Sequence, residues 1–183
     1  TRAGVVAGEA GAAGLGWRHR HEISPVDGCG TWGGRIIGPG VVGRRWPGAG
    51  SVEVVEASGE ARAVTLPLPQ RNSTVQYVTE RVETGEWSAE FRLSARGFWQ
   101  VHSGAAATFV AHVLRELAPQ PGERATDLYA GVGLFALALA DAVGPTGAVL
   151  AIESDALAVG DAKANLRLHP ERELRRATVA RSW

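Results

Sequence analysis

The sequence has no methionine, a single cysteine (Cys29) and a single lysine (Lys163) in 183 residues. A lone cysteine cannot build an internal disulfide framework. That excludes the small stapled scaffolds of secreted proteins and fits a reducing, cytoplasmic setting. No apolar run approaches the roughly 18 residues a membrane span needs. The longest, Leu134–Ala140, stops at Asp141. No secretory signal opens the chain, and both ends read as cuts through a larger protein. Neither sign of charge prevails. The 19 basic and 19 acidic residues cancel, so no basic tail announces a nucleic-acid binder. A mild asymmetry remains, because residues 1–50 hold six Arg against three acids.

What is present divides into two styles of sequence. Through about residue 100 the pattern is β. The stretch "AGLGWRHRHEISPVDGC" alternates, with Trp17, His19 and His21 on one face and Arg18, Arg20 and Glu22 on the other. "SVEVVEASGEARAVTLPL" reads as a hairpin turning at Ser58-Gly59-Glu60. "VQYVTERVETGEWSAEFRLSARGFWQV" continues with further strands. From Ser103 the period changes. Phe109, Val110, Val113, Leu114 and Leu117 form one helical stripe, with Ser103 as the expected N-cap and Pro119 as the stop. There follow strand "RATDLY", a glycine turn, helix "LFALALADAV", turn "GPTG", strand "AVLAIE" and helix "DALAVGDAKANLRLH", with a last strand at "RATVARS". Alternating strands and helices are the mark of a parallel sheet with crossover connections. The expected domains are a β-rich region over 1–90 and an α/β region over 91–183.

Chemistry concentrates at "DLYAGVGLFA". Gly131 and Gly133 can bring backbone close to a ligand at a helix N-terminus. Read as Gly131-x-Gly133-x-x-Ala136, the stretch matches the loose dinucleotide fingerprint. Glu153 ends the next strand, twenty residues after Gly133, where a ribose-binding acid belongs. Three details favour S-adenosylmethionine over NAD. Asp127 lies four residues before Gly131, where a carboxylate suits an ammonium group and sits badly beside a pyrophosphate. A helix precedes the first strand of the unit. The turn Gly144-Pro145-Thr146-Gly147 is of a kind common in methyltransferases. Glu153 would accept the ribose hydroxyls.

Four segments together resemble a family. "FRLSARGFWQVHSGAAATFVAHVLREL", "DLYAGVGLFALALA", "AIESD" and "DAKANLRLH" are similar, in order and spacing, to the bacterial and archaeal RNA uracil-5-methyltransferases acting on tRNA and 23S rRNA. The resemblance is clear over residues 86–170 and weaker over 1–85, which would match the family's RNA-contacting region. It implies the first half of a class I, Rossmann-like S-adenosylmethionine-dependent methyltransferase, preceded by a β-rich region. Gln100, Asp127, Tyr129, Gly131, Gly133 and Glu153 would bind the cofactor. RNA would be the substrate, with no membrane and no obligate protein partner. Two positions depart from the family: His102 follows Val101, and Leu134 follows the second glycine, where Asn is common at each.

The resemblance further implies that a cysteine thiolate adds to C6 of uracil, so that C5 attacks the sulfonium methyl and a carboxylate then removes the C5 proton. Both groups are expected beyond Trp183, so no catalytic residue is assigned. Some relatives use a cysteine placed like Cys29 as the last ligand of a four-iron cluster. A single cysteine builds no such cluster, and no metal site is assigned. Alternatives are a 5-methylcytosine or small-molecule methyltransferase, a nicotinamide-dependent oxidoreductase using Gly131, Gly133 and Glu153, or an RNA-binding module. In the last case His19, Arg18, Arg20, Arg44 and Arg45 would touch phosphate.

Overall fold

The computed structural model describes residues 2–7, 13–16, 23–25, 45–47, 51–55, 57–58, 64–68, 75–167 and 173–176. The chain divides into two compact units, Thr1–Gln76 and Tyr77–Trp183.

The first unit is an antiparallel sheet. Its strands are β1 (Arg2–Ala7), β2 (Ala13–Gly16), β3 (Ile23–Pro25), β4 (Ser51–Val55) and β5 (Val64–Leu68), in the order β3-β2-β1-β4-β5. The hairpin expected in "SVEVVEASGEARAVTLPL" is β4–β5, with Val55 opposite Val64. Ser58 of its expected turn is described and exposed, whereas Gly59 and Glu60 lie outside the described residues. The alternating stretch Trp17–Glu22, Arg44 and Cys29 also lie outside them, while Arg45 is described and exposed.

The second unit opens with a two-stranded antiparallel hairpin, β6 (Tyr77–Glu83) and β7 (Ser88–Ser94). Strict alternation sends Val78, Glu80 and Val82 of β6 inward. Phe91 and Leu93 of β7 are fully buried. This is the period-2 pattern of a sheet with one covered face. Phe91 lies 5.6 Å, centroid to centroid, from the buried Trp99, which anchors the "FWQ" segment as it leaves the hairpin.

Three parallel strands follow, in the order β10-β9-β8: β8 (Arg124–Leu128), β9 (Ala148–Glu153) and β10 (Glu173–Arg176). The helices are α1 (Ala105–Leu117), α2 (Leu134–Val143) and α3 (Ala156–Asn165). This alternation is the Rossmann-like α/β class expected from the sequence. Helix α2 is apolar on nearly every side and is buried accordingly, with Leu134, Ala136–Ala140 and Val143 all enclosed. It packs on β8, β9 and α1, while α3 packs on β7, β9 and β10. The tight turn between α2 and β9 depends on Gly147. A Cβ there would lie 2.6 Å from Val143 Cβ and 2.7 Å from the Glu123 carbonyl oxygen.

Three expectations need correction or placement. Ser103 is not the N-cap of α1. Gly104 takes that position without a side-chain cap, and the Gly104 carbonyl instead accepts from the Thr108 hydroxyl at 2.9 Å. The buried stripe of α1 runs through Ala106 and Val110. Phe109 and Leu117, expected inside, are exposed. The last described strand is Glu173–Arg176, and the expected strand "RATVARS" begins at its final residue, Arg176, with the rest, 177–182, outside the described residues.

Candidate functional site

The glycine turn joins β8 to α2, and its geometry follows from its composition. Gly131 and Gly133 adopt φ of 56° and 88°, the left-handed region that side chains disfavour. The two glycines serve different ends. A Cβ on Gly131 would meet nothing within 4 Å, so the backbone there faces open space. A Cβ on Gly133 would sit 3.5 Å from Ala162 Cβ and 3.6 Å from Leu166 Cδ1, so this glycine lets α3 pack beneath the turn. Tyr129 also has a positive φ, 64°, without being glycine. Its side chain is 70% exposed. A non-glycine residue in that region costs about 1–2 kcal/mol, and such strain gathers at ligand sites.

Two carboxylates hold the turn. Asp127, buried at the end of β8, accepts from the Ala136 amide at 3.0 Å and so caps α2 from outside the helix. Its other oxygen, Oδ1, has no hydrogen bond among the described residues. Burial pushes the Asp127 carboxyl up to about 6; the Ala136 amide opposes this, and the neighbouring Glu153 charge adds to it. Glu153 Oε2 accepts from the Gly131 amide at 2.8 Å. Its Oε1 accepts from the amides of Ser154 at 2.7 Å and Asp155 at 2.8 Å. Burial works against the Glu153 charge, but the amides of Asp155, Gly131 and Ser154 together outweigh it. They hold this carboxyl below its ordinary range. Among the described residues no Arg, Lys or His forms an ion pair with Asp127 or Glu153.

The structure thus brings Tyr129, Gly131 and Gly133 together in one turn, with Asp127 of β8 and Glu153 at the end of β9 beside it. Gln100 is half-buried just past Trp99, and no hydrogen bond ties it to the others. Asp161 and Asn165 stand in one of the resembling segments, where spacing alone assigns them no task. Asp161 is buried and takes both Ser94 donors, the amide at 2.7 Å and the hydroxyl at 2.9 Å. Asn165 Oδ1 accepts from the Arg92 amide at 2.9 Å, while its Nδ2 donates to the Val132 carbonyl at 3.1 Å. The available signal was the spacing, since polar residues four apart share one helix face. Among the described residues no cluster of three or more His, Cys, Asp or Glu could hold a metal ion. No described helix is long and apolar enough to cross a membrane.

No protein-family model matches the chain. A protein named an uncharacterized RNA methyltransferase from Streptomyces coelicolor is 40% identical over 179 residues, covering 85% of this chain and 39% of its own length. Its counterpart in Streptomyces avermitilis is 36% identical over 183 residues, covering 85% and 41%. The chain is homologous to these RNA methyltransferases. It spans about two fifths of their length. A 23S rRNA (uracil(1939)-C(5))-methyltransferase from Pseudomonas fluorescens is 38% identical over 97 residues, which is 53% of this chain and 20% of that protein. Among solved structures, a SAM dependent methyltransferase from Aquifex aeolicus overlaps 38% of each chain at 24% identity, with a TM-score of 0.35.

Proposed function

We propose that the second unit is the S-adenosylmethionine-binding part of an RNA methyltransferase that methylates C5 of a uridine in tRNA or ribosomal RNA. The observation that carries this reading is the uncompensated acid pair. Asp127 and Glu153 stand close enough for the Glu153 charge to raise the Asp127 carboxyl, and among the described residues neither has an ion-pair partner. Such a site favours a ligand bearing positive charge and repels a pyrophosphate, so it favours S-adenosylmethionine over a nicotinamide dinucleotide.

The bound cofactor would supply an electrophilic methyl group on a sulfonium centre. Asp127 Oδ1, the oxygen left over from capping α2, would take the ammonium group. Glu153 already accepts three amide hydrogens, and a carboxylate offers roughly four acceptor sites. It would therefore meet the ribose by sharing its oxygens rather than through two free ones. Gly131 gives backbone access, and the exposed Tyr129 ring gives an apolar face. Gln100 would complete the wall. The uridine assignment rests on homology to RNA methyltransferases and on the name carried by the Pseudomonas fluorescens relative. The β-rich region, placed at 1–90 from the sequence, would contact RNA, and the excess of Arg in residues 1–50 supports that role. A cytoplasmic location follows from such a substrate.

Calorimetric titration tests the reading. The chain should bind S-adenosylhomocysteine, which keeps the ammonium group, at least ten-fold more tightly than NAD. Equal or tighter NAD binding would overturn it.

A further inference from the structure

Helix α3 touches the glycine turn on one side and the β6–β7 hairpin on the other, and one side chain reaches both. Asn165 accepts from the Arg92 amide of β7 and donates to the carbonyl of Val132, the residue between the two glycines. The Val132 carbonyl and the Gly133 amide belong to one planar trans peptide and point in opposite directions. The Gly133 amide donates to the Ala130 carbonyl at 2.8 Å. This peptide is therefore held at both ends, by Asn165 on the oxygen and by Ala130 on the nitrogen. Two peptides earlier, the Ala130–Gly131 unit is held through the Gly131 amide on Glu153 Oε2. Each of these two planes borders one glycine, Gly131 or Gly133, which weakens the steric bias that would otherwise fix it. Hydrogen bonds must supply the orientation, and Asn165 is the one side chain among them that comes from outside the turn and the two strands flanking it.

We infer that Asn165 is a positioning residue for the glycine turn: it fixes the Val132–Gly133 peptide and couples its orientation to the hairpin that leads into Phe98-Trp99-Gln100. This rests on reading the turn as the cofactor site. Asp161, one helical turn earlier, has the complementary task. Among the described residues its side-chain bonds run to Ser94 of the hairpin, so it fastens the helix without a bond to the turn.

That division supplies the test. Asn165→Asp keeps an acceptor for the Arg92 amide and replaces the donor facing Val132 with a carboxylate oxygen, which repels the carbonyl. Ser94→Ala removes one hairpin bond and leaves the Val132 contact intact. Titration with S-adenosylhomocysteine at pH 8 should show affinity reduced at least ten-fold in Asn165→Asp and within two-fold of wild type in Ser94→Ala, even where Ser94→Ala melts at the lower temperature. Amide hydrogen exchange without ligand should accelerate at Gly131 and Gly133 in Asn165→Asp only. Unchanged exchange at those amides in Asn165→Asp, or equal acceleration in both variants, overturns the inference. A folded wild-type chain that fails to bind S-adenosylhomocysteine overturns the cofactor reading instead, and the exchange data then decide the positioning role alone.

Discussion

Asp127→Asn should make the protein more stable and less able to bind its ligand. The wild-type carboxyl is pushed up from 3.8 to about 6, chiefly by burial. The folded pKa therefore lies above the unfolded one, and between those values the folded chain binds more protons than the unfolded chain. Stability rises as pH falls through that window, and above about 6 the ionised group carries its full penalty. At 1.36 kcal/mol for each tenfold change in acidity, the penalty is about 3 kcal/mol at pH 8. The amide keeps an oxygen for the Ala136 N–H and carries no charge to desolvate. Urea unfolding at pH 8 should show the variant more stable by up to about 3 kcal/mol, or roughly 6–12 °C in melting temperature for a chain of this size. The difference should shrink as pH drops from 6 toward 3.8, because the wild-type group then becomes neutral as well. Affinity for S-adenosylhomocysteine should fall at least ten-fold in the variant, and in the wild type it should weaken below about pH 6. A variant that is less stable at pH 8, or a gain that stays constant from pH 8 to pH 4, would refute burial as the cause.

Other substitutions separate packing from function. Gly147→Ala should destabilise by about 1–3 kcal/mol through overpacking against Val143 and the Glu123 carbonyl, measured by thermal melting, with the refolded protein keeping its ligand affinity. Gly160→Ala, on the exposed side of α3 with nothing within 4 Å of the new Cβ, should stabilise by about 0.5–1 kcal/mol in the same assay. Tyr129→Gly should relieve the positive φ and raise stability by about 1 kcal/mol, while lowering S-adenosylhomocysteine affinity by loss of the ring.

The α/β elements were legible because their signals are local. The helix "LFALALADAV" and the strand "AVLAIE" were read with the bounds that α2 and β9 have, since an apolar run flanked by glycine turns leaves little choice. The stripe of α1 was read too generously. The 3.6-residue period shows which residues share a face but not how wide a neighbour covers it, and α1 is covered only around Ala106 and Val110. Ser103 failed as a cap although serine outranks glycine there; the helix begins one residue later, behind Gly104, which no local pattern shows. At the site, the glycines and acids stood out by spacing. Their division of labour did not. Whether Gly133 faces a ligand or a helix depends on where α3 lies, and Asp127's bond to Ala136 spans nine residues. The task of Asn165 involves β7, a strand 73 positions away, and no local pattern encodes that.

In the parallel sheet each strand after β8 is added on the same side: β9 against β8, then β10 against β9. Among the described residues β8 therefore has a neighbour on one edge only. In order of synthesis, the strand that carries Asp127 emerges first. Among the described residues, everything from α2 to β10 builds away from its other edge, which carries amides and carbonyls with no strand beside them. The strand that carries Asp127 thus presents, among the described residues, an edge open to another strand.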